Sequence, residues 1–137
     1  MQRKYPTDEE LLTLAAAARE DSYSPYSGFA VGAALLTESG KIYLGANIEN
    51  AAFTPTVCAE RVAFFKAINA GERKFLEIAV VGGAKDCPAA PVSPCGVCRQ
   101  IMAEFCDKDF RIITLGEDGC TTLGELLPRS FGKDDLK

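Results

Sequence analysis

Three cysteines and one glutamate carry the spacing that could do chemistry in this chain: Cys58-Ala59-Glu60, and Pro94-Cys95-Gly96-Val97-Cys98. Each segment reads as the start of a helix, where a thiol faces the positive end of the helix dipole and the thiolate is favoured. Helices that follow neighbouring parallel strands begin at one edge of the sheet, so the segments can converge there and three thiolates can bind one zinc. Three protein ligands leave the fourth tetrahedral position to water, the catalytic pattern, whereas a closed four-ligand site is structural. Cys95-x-x-Cys98 alone also fits a redox pair or half of a zinc knuckle. A Cys₄ site would draw its fourth ligand from Cys87, Cys106 or Cys120. Cys106 falls two helical turns after Cys98 and reads as a core residue, while Cys87 and Cys120 sit in loop or turn contexts with no partner pattern.

Composition narrows the chemistry further. Among 137 residues there are six cysteines and no histidine. Ser-His-Asp and Cys-His nucleophile pairs, histidine proton shuttles and HExxH zinc sites are thereby excluded, and proton transfer falls to carboxylates, Lys, Tyr or Cys. Fifteen Lys and Arg against 19 Asp and Glu give a formal net charge of -4, and the basic residues are scattered, which argues against a nucleic-acid binder. The apolar run from Leu11 to Ala18 follows the acidic Asp8-Glu9-Glu10 and is too short to span a bilayer. The expected location is the cytoplasm, with reduced thiols. A chain of this length buries roughly 65–70% of its unfolded surface as one compact domain, so a single domain over residues 1–137 is expected.

The elements that must position these residues follow from periodicity. Thr7 with Glu10 forms a capping box, and Leu11, Leu14, Ala15 and Ala18 share a helical face that stops before Ser24-Pro25. Strands from Phe29 to Leu36 and Lys41 to Ala46 flank Thr37-Glu38-Ser39-Gly40 and should pair as an antiparallel hairpin. Asn47 to Pro55 reads as a loop. A second helix is predicted from about Val57 to Ala70, with Thr56 as N-cap and Gly71 as stop. Phe75 to Val81 is a strand ended by Gly82-Gly83, and Lys85 to Pro94 is a loop. Ser93 as N-cap and Pro94 at the first position should open a third helix with Cys98, Ile101, Met102 and Phe105 on one face. Phe110 to Leu115 is a strand and Asp118-Gly119 a turn; Thr122 with Glu125 caps a short last helix closed by Pro128. The order α-β-β-α-β-α-β-α predicts a three-layer α/β/α sandwich whose mixed sheet carries an N-terminal antiparallel hairpin and at least two parallel crossovers.

The Cys-Ala-Glu segment followed after 33 residues by Pro-Cys-x-x-Cys is similar to the signature of the zinc nucleoside and nucleobase deaminases. Most of that superfamily has His at the first ligand position; Cys58 resembles the small cytidine deaminases. The resemblance extends to Pro25-Tyr26-Ser27, Val31 to Leu35, Asn47 to Ala51, Arg61, Cys98-Arg99-Gln100 and Glu125 to Pro128, covering about Tyr23 to Phe131.

The resemblance implies zinc on Cys58, Cys95 and Cys98, activating a water for attack on C4 of a pyrimidine ring. Glu60 would move the proton, a role for which no histidine competes. It further implies that Asn47 and Glu49 bind ribose hydroxyls, that Phe29 packs near the base, and that Ala59 offers backbone hydrogen bonds. Phe131 resembles an aromatic that a neighbouring subunit contributes, which implies a homotetramer with sites at subunit interfaces. Zn²⁺ with three thiolates sums to -1, and Arg61, with the two helix ends, is the candidate to offset that charge. Cys58 and Glu60, two apart, point to different sides of a regular helix, so Cys58 should lie in a distorted first turn. Two departures from the family pattern, Gly45-Ala46-Asn47 and Phe53-Thr54-Pro55, bear on the shape of the sugar pocket. The expected reaction is deamination of cytidine and 2'-deoxycytidine to uridine and 2'-deoxyuridine, in pyrimidine salvage. The alternative is a deaminase of another cytosine nucleoside, such as a blasticidin-type antibiotic, and Asn47-Ile48-Glu49-Asn50 argues against it. Neither a nucleic acid nor a membrane is an expected partner.

Overall fold

A computed structural model describes residues 5–117 and 119–137. The first helix, α1 (Asp8–Ala18), opens on the predicted capping box: the Thr7 side chain accepts from the Glu10 N–H, and Glu10 reaches back to the Thr7 N–H. A 3₁₀ turn (Arg19–Asp21) ends it. The hairpin consists of β1 (Gly32–Thr37) and β2 (Ile42–Ala46), paired antiparallel from Gly32 opposite Ala46 to Leu36 opposite Ile42. Its turn needs a left-handed residue, and Gly40 supplies φ +91°. Then come α2 (Ala59–Asn69), β3 (Phe75–Val81), α3 (Gly96–Phe105), β4 (Arg111–Ile113), β5 (Cys120–Thr122) and α4 (Leu123–Leu126).

The sheet order is β2-β1-β3-β4-β5. β1 is antiparallel to both β2 and β3, so those two strands run the same way, and β4 joins β3 in parallel. The connections β2-α2-β3 and β3-α3-β4 are therefore the two expected crossovers, and both helices start at the same sheet edge. Every position of β1 is buried, as a central strand covered on both faces requires. Alternation divides the core. Ala33, Leu35, Ile78, Val80 and Ile112 face Ala63, Phe64 and Met102 of α2 and α3, while Ala34, Leu36, Ala79, Val81 and Ile113 face Leu11 and Ala15 of α1. The expected three layers follow from this division.

Several limits differ from the sequence-based expectation, among them β4, which spans Arg111–Ile113 rather than Phe110 to Leu115. β1 begins at Gly32 rather than Phe29, because residues 29–31 leave the ladder to bond elsewhere: Phe29 bridges Ala84, and the Val31 N–H donates to Asn47 Oδ1. The N-cap of α2 is Cys58, not Thr56, because Val57 is held extended by two backbone hydrogen bonds to Ile48. The N-cap of α3 is Cys95, two residues beyond Ser93, whose hydroxyl accepts from Arg99 instead of capping. Residues Cys120–Thr122 form an edge strand against β4 that alternation over three residues is too short to announce. The turn expected at Asp118-Gly119 involves Asp118, which lies outside the described residues.

Two glycines seat the helices on the hairpin. A Cβ at Gly32 would lie 1.9 Å from the Ala15 carbonyl oxygen of α1, and one at Gly45 would lie 2.2 Å from the Ala59 oxygen of α2. Only a residue without a side chain lets backbones approach this closely.

Candidate functional site

Two helix starts and one short ladder build the site. Cys58 has extended backbone angles (φ -77°, ψ 155°) and stands outside α2, which resolves how Cys58 and Glu60 face one centre: the thiol belongs to the N-cap and the carboxylate to the first turn. Cys95 repeats this arrangement ahead of α3 (φ -70°, ψ 168°), and Cys98 follows in the first turn. Neither cysteine spends its side chain on capping, so both sulfurs are free to act as ligands. The Sγ atoms of Cys58 and Cys95 are 3.5 Å apart, those of Cys95 and Cys98 also 3.5 Å, and all three lie within 4.8 Å of one another.

This donor set fits zinc. Tetrahedral zinc with bonds of about 2.3 Å holds its sulfurs about 3.8 Å apart, between those limits. Among the described residues no fourth Cys, Asp or Glu joins the cluster. Cys87 and Cys120 are exposed, and Cys106 is half-buried, its thiol pushed up chiefly by burial. A closed Cys₄ site is therefore not assembled from them.

The electrostatics are uneven across the trio. Cys58 is drawn down to about 5, first by its hydrogen bond with Cys98 and then by Arg61, while that same bond and burial push Cys98 upward. Arg61 Nη2 lies 3.4 Å from Cys58 Sγ, and its Nε is buried without a partner. Glu60 is 4% exposed, and burial raises its carboxyl to about 7. A carboxyl poised there can both accept and return a proton at neutral pH.

Cys58, Cys95, Ala59 and Glu60 line a cavity of about 180 Å³ with Asn47, Val31, Val57 and Val92. Ile48 places Asn47 there by bonding to Val57 on one side and by bridging Tyr23 on the other. Asn47 is heavily engaged already: Oδ1 accepts from Ser22 Oγ at 2.6 Å and the Val31 N–H at 2.9 Å, and Nδ2 donates to the Phe29 carbonyl at 2.9 Å. Glu49 lines an adjoining open groove with Tyr26, Ser27, Asn50 and Phe53, and Thr56 borders both spaces. Its carboxylate accepts from the Ser27 hydroxyl and from the N–H groups of Tyr26 and Ser27, which hold it below the usual carboxylate range.

Two expected contact residues stand off the cavity. Phe29 is 41% exposed with its ring over Gly82, and Phe131 is 57% exposed, tethered through its carbonyl by Gln100 Nε2 at 2.9 Å. The sequence marks Val57 only as a helix start and Ser93 only as a cap, so their place in the cavity wall is not legible there, and Val92, a lone valine in a loop, has no periodicity to mark it. A larger cleft of about 970 Å³ lies beside the site, sharing Val92 and Ser93 but holding none of the three thiols or Glu60.

The family model for the cytidine and deoxycytidylate deaminase zinc-binding region matches residues 6–114. The chain is similar to a cytidine deaminase of Sporosarcina psychrophila, 50% identical over 131 residues and covering 93% of each protein. A probable cytidine deaminase of Dictyostelium discoideum is 39% identical, over 93% of this chain and 86% of that one. The crystal structure of cytidine deaminase from Burkholderia pseudomallei superposes with a TM-score of 0.83 at 44% identity, covering 92% of this chain and all of that one. With the family match running through both helix starts and the fold shared across whole chains, this chain belongs to the cytidine and deoxycytidylate deaminase family.

Proposed function

We propose that this chain catalyses the zinc-dependent hydrolytic deamination of cytidine and 2'-deoxycytidine, releasing ammonia and leaving uridine and 2'-deoxyuridine. The observation that carries this reading is the clustering of three thiols within 4.8 Å of one another, two of which, Cys58 and Cys95, line a 180 Å³ cavity together with the buried carboxyl of Glu60. Cys58, Cys95 and Cys98 would hold the metal. Bound there, zinc supplies a Lewis acid that lowers the pKa of a water at its open position.

The rest of the work falls to the chain. Glu60 takes one proton from the attacking water and delivers it to N3 of the ring, then takes the second from the new C4 hydroxyl and passes it to the C4 amino group, which leaves as ammonia as the C4 carbonyl forms. Val31, Val57 and Val92 wall the cavity against the base and exclude bulk water. Ala59 presents backbone groups to the base, while Asn47 and Glu49 meet the sugar. A free base leaves that polar pair without its sugar partners. Arg61 and the starts of α2 and α3 offset the surplus negative charge of three thiolates.

Residues 1–137 act as one catalytic domain in this reading. The exposed rings of Phe29 and Phe131 fit a homotetramer in which Phe131 reaches a neighbour's base pocket. No described helix is long and apolar enough to cross a membrane, and a reduced cytoplasmic setting suits three zinc thiolates. A zinc-quantified assay on cytidine, 2'-deoxycytidine, cytosine and blasticidin S tests the proposal. Turnover of the two nucleosides with one zinc per chain is expected; preference for blasticidin S or free cytosine would overturn the substrate assignment.

A further inference from the structure

Arg99-Gln100, directly after Cys98, and the motif Glu125 to Pro128 have no part in the chemistry above, yet they meet in space. Arg99 Nε donates to the Pro94 carbonyl at 2.8 Å, Nη2 to Ser93 Oγ at 3.0 Å, and Nη1 to the Leu126 carbonyl at 2.6 Å. Its backbone N–H adds a fourth bond, to the Cys95 carbonyl at 3.0 Å. The side chain thus grips positions 93 and 94, directly before Cys95, and ties them to the end of α4, while the N–H bond to Cys95 is the first-turn helix bond that any residue here would make.

The Leu126 carbonyl needs such a donor. Leu126 is the last residue of α4, where carbonyls have no partner within the helix, and Pro128, two residues on, has no N–H to offer. Cys95 makes no side-chain cap, so the direction of its thiol depends on the backbone that precedes it. Ser93 and Cys95 both line the 180 Å³ cavity, while Ser93 and Leu126 line the larger cleft behind it. Gln100, next along α3, adds a second tether through the Phe131 carbonyl.

We propose that Arg99 is a positioning residue that fixes Cys95 and the Ser93 wall of the reaction cavity against the C-terminal segment. The guanidinium suits this role through shape more than charge: a planar fork of fixed donors reaches three acceptors at once, which a single ammonium cannot. Arg99 touches neither the metal nor the substrate. Its effect passes through the 93–95 backbone, so its loss should appear first in how firmly the thiols keep zinc. This inference rests on the zinc reading of the preceding subsection.

The test measures zinc release from the zinc-loaded enzyme to excess chelator, alongside kcat and KM for cytidine. Arg99→Lys and Arg99→Ala should both release zinc about 10–100-fold faster, the range for removing a group that orients a ligand, with a raised KM. Arg111→Gln serves as the control for plain loss of stability, because it breaks the ion pairs with Asp8 and Glu77 without touching the cavity. It should lower the melting temperature and leave the release rate unchanged. If the Arg99 variants fail to fold, Ser93→Ala removes one acceptor alone and should speed release less, in the same direction. Wild-type release rates in Arg99→Lys, or equal acceleration in Arg111→Gln, would overturn the proposal while leaving the zinc assignment intact. A wild-type chain that takes up no zinc would overturn both.

Discussion

Arg61 and Cys58 lie one turn apart along the start of α2, with Nη2 of the guanidinium 3.4 Å from the sulfur. The contact joins a permanent cation to one of three thiols that together would give a zinc site of charge -1. Removing it leaves the donor set more electron-rich and the metal a poorer Lewis acid. Arg61→Ala should fold and keep zinc, with kcat lowered about 10–100-fold. Steady-state kinetics on zinc-quantified protein provides the check, and a wild-type kcat would remove the charge-offsetting role.

Glu60 is the buried acid in the cavity. Glu60→Gln is nearly isosteric and leaves all three thiols in place, so zinc content should match wild type while kcat falls about 10²–10⁴-fold, the usual contribution of a positioned proton carrier. Activity that survives this substitution would eliminate the shuttle.

Asn47 and Glu49 should separate in their consequences. Asn47 is 9% exposed and bonds to Ser22, Phe29 and Val31, so Asn47→Ala leaves partly buried groups unpaired and should cost about 1–3 kcal/mol of stability along with affinity. Glu49 lies in the open groove, so Glu49→Ala should raise KM for cytidine with little change in melting temperature. Chemical denaturation paired with KM measurement distinguishes the two; a large stability loss in Glu49→Ala would recast it as a structural residue.

Gly45→Ala tests the seat of α2. The added methyl would meet the Ala59 oxygen at 2.2 Å and the Ala63 nitrogen at 2.7 Å, both backbone atoms that cannot swing aside. Overpacking of this kind costs about 1–3 kcal/mol. Because the displaced turn carries Glu60, kcat should fall with stability. Unchanged stability and kcat would show that the helix start shifts freely.

The ion pair of Arg111 with Asp8 predicts a pH window for stability. Hydrogen bonds from Arg111 hold the Asp8 carboxyl below its ordinary 3.8, so its contribution is complete above that value and disappears as pH falls through the lower folded-state value. Asp8 is 45% exposed, which limits the contribution to about 1 kcal/mol or less. Glu77, on the other side of Arg111, is held above its ordinary value chiefly by burial and works in the opposite sense. Asp8→Asn should therefore be less stable than wild type at pH 7, with the gap closing below about pH 4. A gap that stays constant on acidification would mean that charge is not the source of the effect.

Much of the architecture was legible in the residues because it depends on local rules. The Thr7-Glu10 box started α1, Gly71 at φ +96° stopped α2, and the apolar run Phe75–Val81 matched β3 residue for residue. The missing histidine left thiolates and a carboxylate as the reactive groups, and Cys58-Ala59-Glu60 with Cys95-x-x-Cys98 marked which ones. Tertiary structure decided what no local pattern encodes. Two of the three metal-site cysteines, Cys58 and Cys95, are N-caps because Ile48 holds Val57, and the Arg99 side chain holds Ser93 and Pro94, out of the helices. Asn47 is as much a brace as a ligand-facing group because Ser22 and Val31 converge on it only in three dimensions. A cap or a strand is set by interactions within a few residues, whereas the aim of a thiol depends also on hydrogen bonds between separate segments, such as Ile48 with Val57 and Arg99 with Leu126, which close only in the folded chain.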